Sequence, residues 1–218
     1  MATTEINKKE IIAKYMDYVL EHGKAPASIY KFSKDLNIEE KHFYNYYNSF
    51  EDVATDIYAV FFDETYRLIT EDENFQELDA KNQLLIFYYT FFELLTANRS
   101  YVLLTLKSNK NILEKFKTLQ KLKTKFKDFL KQLDIETLDF QKEEINKISQ
   151  AGLEELIYKQ LLFTLKFWIE DNSPAFEKTD IFIEKSVNAS FFLLDTAPIK
   201  SLIDLGKFYF KEKLKTTH

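Results

Sequence analysis

Glycine and proline together fill only six of the 218 positions, and that scarcity constrains the fold more than any other feature. Average usage would put about 12% of a chain in these two residues. Sandwiches and barrels need turn residues every ~8–12 positions, and collagen-like or linker-like chains need more still. The chain is therefore expected to be all-α, with short connections between helices. Cysteine is absent, which removes disulfides, thiol nucleophiles and Cys-ligated zinc together.

The few breakers mark the joints. Gly23 and Pro26 end a first helix read from about Glu5 to His22, whose Ile11, Ile12, Tyr15, Met16, Val19 and Leu20 follow the helical period. A second short helix starts near Ser28 with Ile29, Phe32, Ser33 and Leu36 on one face, and Asn37 suits a tight turn because Asn tolerates the left-handed conformation. Ile38, Phe43 and Tyr47 space a third. Ser49-Phe50-Glu51-Asp52 reads as a capping box opening a fourth. Further helices are expected over about 79–98, 101–107, 110–134, 138–170, 176–195 and 198–214, with Gly152 a possible break. Ser173-Pro174 and Thr196-Ala197-Pro198 look like helix starts.

Three short helices in the first 50 residues, the second and third joined by a tight turn, match a helix-turn-helix. The stretch Ser28 to Ile38, followed by Phe43 to Val53, resembles the signature of the TetR repressors over residues 9–55. Phe32-Ser33 stands where that family has an Ile-Ala pair, Asn37-Ile38 where it has Gly-Val, Phe43-Tyr44 at the hydrophobic-Tyr position and Tyr46-Tyr47 at the His-Phe position. Ser49, Glu51 and Asp52 open the fourth helix.

The resemblance implies a helix-turn-helix DNA-binding domain over 1–50 and a helical effector-binding and dimerisation domain over 51–218, about nine helices in all. It implies that Glu40, Lys41 and His42 face base edges from the start of the recognition helix, and that Tyr44 reaches a backbone phosphate. Lys31 and Lys34 would do so from the helix before, and Tyr46 falls within the same reading face. Phe43, Tyr47 and Ile38 would face the core. Three features depart from the family pattern. Residues 1–50 carry seven Lys and seven acids, so the unit is neutral; Glu39 replaces a Ser N-cap; and Phe50 replaces a Lys that contacts phosphate.

Aromatic residues make up 16% of the chain, with 21 Phe and 13 Tyr. Leu84 to Leu95 is apolar nearly all round, as in a buried helix. Its Tyr88, Tyr89, Phe91 and Phe92 read either as core or as the lining of a pocket for a hydrophobic or aromatic effector, with Thr90, Glu93 and Arg99 as polar candidates. Residues 110–131 hold eight Lys against two acids. This amphipathic run reads as a helix with a solvated Lys face, or as one that meets an anionic membrane or DNA. Two late segments, about 153–170 and 176–195, are the candidates for a homodimer interface.

Nothing points to catalysis. His22, His42 and His218 are scattered, without metal-ligand spacing, and three glycines at 23, 152 and 206 cannot build a phosphate loop or a Rossmann turn. No catalytic residue, metal site or cofactor is expected. The start of the chain carries no apolar leader and no stretch is long enough to span a bilayer, so a cytoplasmic protein without stable membrane association is expected. The reading is a homodimeric, ligand-responsive transcriptional regulator, a repressor released from double-stranded operator DNA by a hydrophobic or aromatic effector. The alternative is a TetR-fold accessory protein that binds lipid or another hydrophobic ligand and has lost DNA binding.

Overall fold

The computed structural model describes residues 6–107, 117–135 and 143–195, and every element among them is helical. Nine α-helices follow in order: α1 (Lys8–His22), α2 (Ile29–Asp35), α3 (Glu40–Tyr44), α4 (Phe50–Thr70), α5 (Ala80–Ala97), α6 (Arg99–Val102), α7 (Gln120–Leu130), α8 (Glu143–Glu170) and α9 (Glu177–Asp195). Helix α6 runs into a π-helical turn, Leu103–Lys107. Single 3-10 turns, Glu73–Glu77 and Pro174–Phe176, precede α5 and α9. The expected helix at 198–214, its start at Thr196-Ala197-Pro198, and residues 110–116 and 138–142 lie outside the described residues.

Local chemistry sets most boundaries. At α1 the Asn7 Oδ1 accepts the Glu10 N–H at 3.0 Å and the Glu10 Oε2 accepts the Asn7 N–H at 2.8 Å, a full capping box. Gly23 ends the helix in the left-handed region at φ 69°, donating its N–H to the Val19 carbonyl. At α4 only half of the expected box forms. Ser49 Oγ accepts the Asp52 N–H, but Asp52 Oδ2 receives the Asn48 N–H instead of that of Ser49. Gly152 does not break α8. The cost of a mid-helix glycine is about 1 kcal/mol, small against the burial of Ile157, Tyr158, Leu161, Leu165 and Trp168 on the same helix. Pro174 opens the 3-10 turn, and α9 proper begins three residues later.

Packing divides the chain into two compact units: residues 1–72 with 90–129, and residues 73–89 with 130–218. In the first, α1 packs on α4 and α6, and α2 on α3. Its core begins with rings: Phe32, Phe43 and Phe50 meet edge-on at 5.5–6.2 Å, and Tyr15 stacks on Phe50 at 5.6 Å. A second ring group, Phe62, Tyr66, Phe126 and Phe129, joins α4 to α7. In the second unit α8 packs on α9, burying Ile157, Leu161 and Trp168 on one helix and Ile183 and Val187 on the other. Gln160 bonds Ser186 and Ser190 across the same pair. The face of α4 bearing Val53, Ile57, Tyr58 and Phe61 is buried in the unit that holds α1.

Candidate nucleic-acid interface

Helix α2 starts at a true cap, with Ser28 Oγ accepting the Lys31 N–H at 3.2 Å. It stops because Asn37 turns left-handed at φ 56°. The Ile38 N–H then closes on the Ser33 carbonyl at 3.0 Å and α3 begins after Glu39. A two-helix hairpin with a tight turn results, with Phe32, Ser33, Ile38, Phe43 and Tyr47 buried. The apolar positions that the period assigns inward do lie inward.

Outward, Lys31, Lys34, Lys41, Tyr44 and Tyr46 are exposed, while Glu40 and His42 are half-buried. Lys41 is not a bare cation. Its Nζ pairs with Glu39 Oε2 at 2.7 Å, and that hydrogen bond, with the lysine charge, holds the Glu39 carboxyl below its usual range. Glu39 itself makes no side-chain cap to α3. Beside these residues a concave surface is lined by Tyr30, Ser33, Lys34, Asn37, Ile38, Glu39 and Glu40. Tyr30 is exposed over 63% of its surface and sequence reasoning passed over it. The available signal was a large aromatic sitting off the apolar stripe of α2.

Behind the hairpin lies a buried carboxylate that the sequence did not flag. Asp56 of α4 accepts the Tyr47 hydroxyl at 2.8 Å, Lys8 Nζ at 2.7 Å and Lys121 Nζ at 2.9 Å. Burial acts to raise its pKa, but the hydrogen bonds from Lys8, Lys121 and Tyr47 outweigh it and keep the group below the ordinary carboxylate range. Lys125 of α7 pairs with Asp63 at 2.8 Å. Part of the basic run around α7 is thus engaged with the acids of α4. Among the described residues no helix is long and apolar enough to cross a membrane.

The residues predicted to meet an effector divide between the units. Tyr88 and Tyr89 fall in the second, Phe91, Phe92 and Arg99 in the first. Tyr88, Phe91 and Phe92 are buried, Arg99 is half-buried and Tyr89 is exposed. Burial raises the Tyr88 hydroxyl well above its ordinary pKa, so it is a neutral phenol at any physiological pH. A separate cavity of about 200 Å³ in the second unit is lined by Leu130, Leu133, Ile135, Leu153 and Ile157 with Asp134, Gln150 and Glu154. None of these was among the predicted effector residues, because Leu130 and Leu133 read as the apolar face of the basic run and Leu153 and Ile157 as part of a candidate dimer helix.

Residues 83–209 match the family model described as the tetracyclin repressor-like C-terminal domain, more than half of the chain. The chain belongs to the tetracyclin repressor-like family. The matched segment opens inside α5 and takes in α8 and α9, and does not overlap the N-terminal resemblance. Comparison with curated proteins finds no match. In this tetracyclin repressor-like chain the helix-turn-helix lies outside the matched segment and stands on its own geometry: a capped α2, a left-handed Asn37 and an inward-facing Phe43.

Proposed function

We propose that the chain is a ligand-responsive transcriptional regulator that binds operator DNA through α2 and α3 and acts as a homodimeric repressor. The observation that carries this is the hairpin of α2 and α3. Its apolar side is buried, and Lys31, Lys34, Lys41, Tyr44 and Tyr46 are left in solvent, the residue types that contact phosphates and sugars. Glu40 and His42 are the candidates for base edges. Family membership supports the same reading. Dimerisation is supported by the second unit, where Leu156, Phe163, Ile181 and Phe192 on α8 and α9 are exposed. Large apolar groups left in water on adjacent helices mark a surface that another protein covers. A second copy also matches what a groove-reading helix needs to address two half-sites. The effector is an apolar or aromatic small molecule bound by the C-terminal domain, and its binding shifts the population away from the DNA-competent form.

Anisotropy titration of a labelled fragment from upstream of the chain's own locus tests the reading. Expected is binding at or below micromolar protein that weakens steeply with salt, since phosphate contacts dominate affinity. Absence of salt-dependent binding sinks the repressor.

One observation favours a second reading. The reading head is neutral and Lys41 is held by Glu39, which suits a hydrophobic-ligand accessory protein without DNA binding. Native mass spectrometry of the purified protein separates the two. A co-purified lipid together with absent DNA binding supports the accessory protein.

A further inference from the structure

We infer that Asp56 is a positioning residue that ties the recognition helix α3 to α7, so that movement of α7 reaches the DNA-reading surface through one carboxylate. The inference gains its functional meaning from the DNA-binding reading above, but its geometry is independent of it. Three elements converge on this one side chain: α1 through Lys8, the segment after α3 through the Tyr47 hydroxyl, and α7 through Lys121. The side chain of Asp56 keeps only 9% of its surface in solvent, so its charge is held by partners more than by water. Tyr47 in turn is buried against Phe43 of α3, ring centroids 6.0 Å apart, and Lys8 Nζ stands 5.7 Å from the Tyr47 ring centre.

The consequence is directional. Lys121 and Tyr47 sit on opposite oxygens of the carboxylate, Oδ1 and Oδ2. Displacing Lys121 leaves Asp56 with Lys8 and Tyr47 on a single oxygen and frees the carboxylate to rotate, which shifts the Tyr47 ring and the Phe43 ring packed on it. A two-state element biased by both ends is what coupling between sites requires. Lys125, one turn further along α7, supplies the internal comparison. It pairs with Asp63 of the same α4, but that pair is more exposed, with 40% and 55% of the two side chains in solvent, and among the described residues no side chain of α2 or α3 bonds Asp63.

The test is amide hydrogen exchange on the full-length protein, comparing wild type with Lys121→Met, Lys121→Arg and Lys125→Met. Lys121→Met keeps the stem and removes the charge. Expected is a rise of about tenfold in exchange over residues 43–48, with the rest of α1 and α4 changed much less. Lys121→Arg should restore protection, and Lys125→Met should leave residues 43–48 at wild-type rates. Equal effects of Lys121→Met and Lys125→Met, a uniform rise across the first unit, or no change at 43–48 overturns the inference. A parallel operator titration separates this from the functional reading. Altered exchange with no DNA binding by any form keeps the coupling and sinks the repressor. DNA binding that Lys121→Met leaves unchanged, with unchanged exchange, keeps the repressor and sinks the coupling.

Discussion

The reading hairpin and the pair of late helices are both rich in aromatic residues, and they place their phenylalanines differently. Around α2 and α3 the rings of Phe32, Phe43 and Tyr47 are buried, Phe32 meeting Phe43 edge to face and Tyr47 lying tilted against Phe43, beside the aliphatic Ile11, Val19 and Ile57. On α8 and α9, Phe163 and Phe192 keep 66% and 70% of their surface in solvent. A small unit that must hold an exposed polar face needs large rings to bury enough area per residue. A long helix pair has core to spare in Trp168, Leu161 and Val187, so its outward rings are free for a partner. Phe50 illustrates the first use: the position loses a phosphate-binding lysine and gains a ring that touches Tyr15, Phe32 and Phe43.

The contrast can be broken in order of expected effect. Phe43→Ala should destabilise the fold by roughly 3–5 kcal/mol, the range for deleting a fully buried ring, read by urea denaturation. A loss below about 1 kcal/mol would mean that the ring cluster does not support the hairpin. Phe163→Glu should leave the stability of the isolated protomer within ~0.5 kcal/mol, as for a surface change. It should weaken self-association by about a hundredfold, on the order of the ~2 kcal/mol or more of an interface hot spot, read by light scattering across concentrations. An unchanged mass at every concentration would take the aromatic face out of the dimer.

The helix starts of the two regions differ as well. Ser28 caps α2 by one bond, whereas Asp171 reaches across the 3-10 turn to α9, accepting from Thr179 N–H and Oγ1 and from Ser173 N–H and Oγ at 2.7–3.0 Å. Burial pushes the Asp171 pKa up, but these four bonds outweigh it and bring it to about 2. A carboxyl lowered on folding stabilises the folded state above its unfolded pKa, near 4, and that contribution disappears as pH falls from about 4 to 2. Asp171→Ala is therefore expected to cost about 1–2 kcal/mol at pH 6. The gap from wild type should close as denaturation is repeated towards pH 2; a gap independent of pH counts against the carboxylate.

The smallest effect concerns Ser33. Its hydroxyl is buried with no hydrogen-bond partner among the described residues, at a position where the family's signature has Ala. Ser33→Ala should be neutral or stabilise by up to about 1 kcal/mol, visible as a small rise in Tm. A clear loss of stability would reveal a partner for the hydroxyl.

Much of this is legible in the sequence. Scarce Gly and Pro implied helices, Asn37 and Ser28 marked the turn and the cap, and the helical period assigned Phe43 and Tyr47 inward. These are properties of the chain within a few residues of itself, where propensity, capping and left-handed tolerance act. The Asp56 centre was not legible, because its partners stand 48 residues before, 9 before and 65 after it, and Lys8 and Lys121 alone are a common surface residue type. The same holds for Lys41, whose pairing with Glu39 depends on how the side chains leave a short helix start. It holds too for Gly152, which the surrounding core carries through α8. Local pattern was enough for the described helices and the hairpin, because capping and periodicity act within a few residues. The Asp56 centre had to wait for the packed fold, because Lys8, Tyr47 and Lys121 reach it from separate helices and its cost depends on how much water the carboxylate loses.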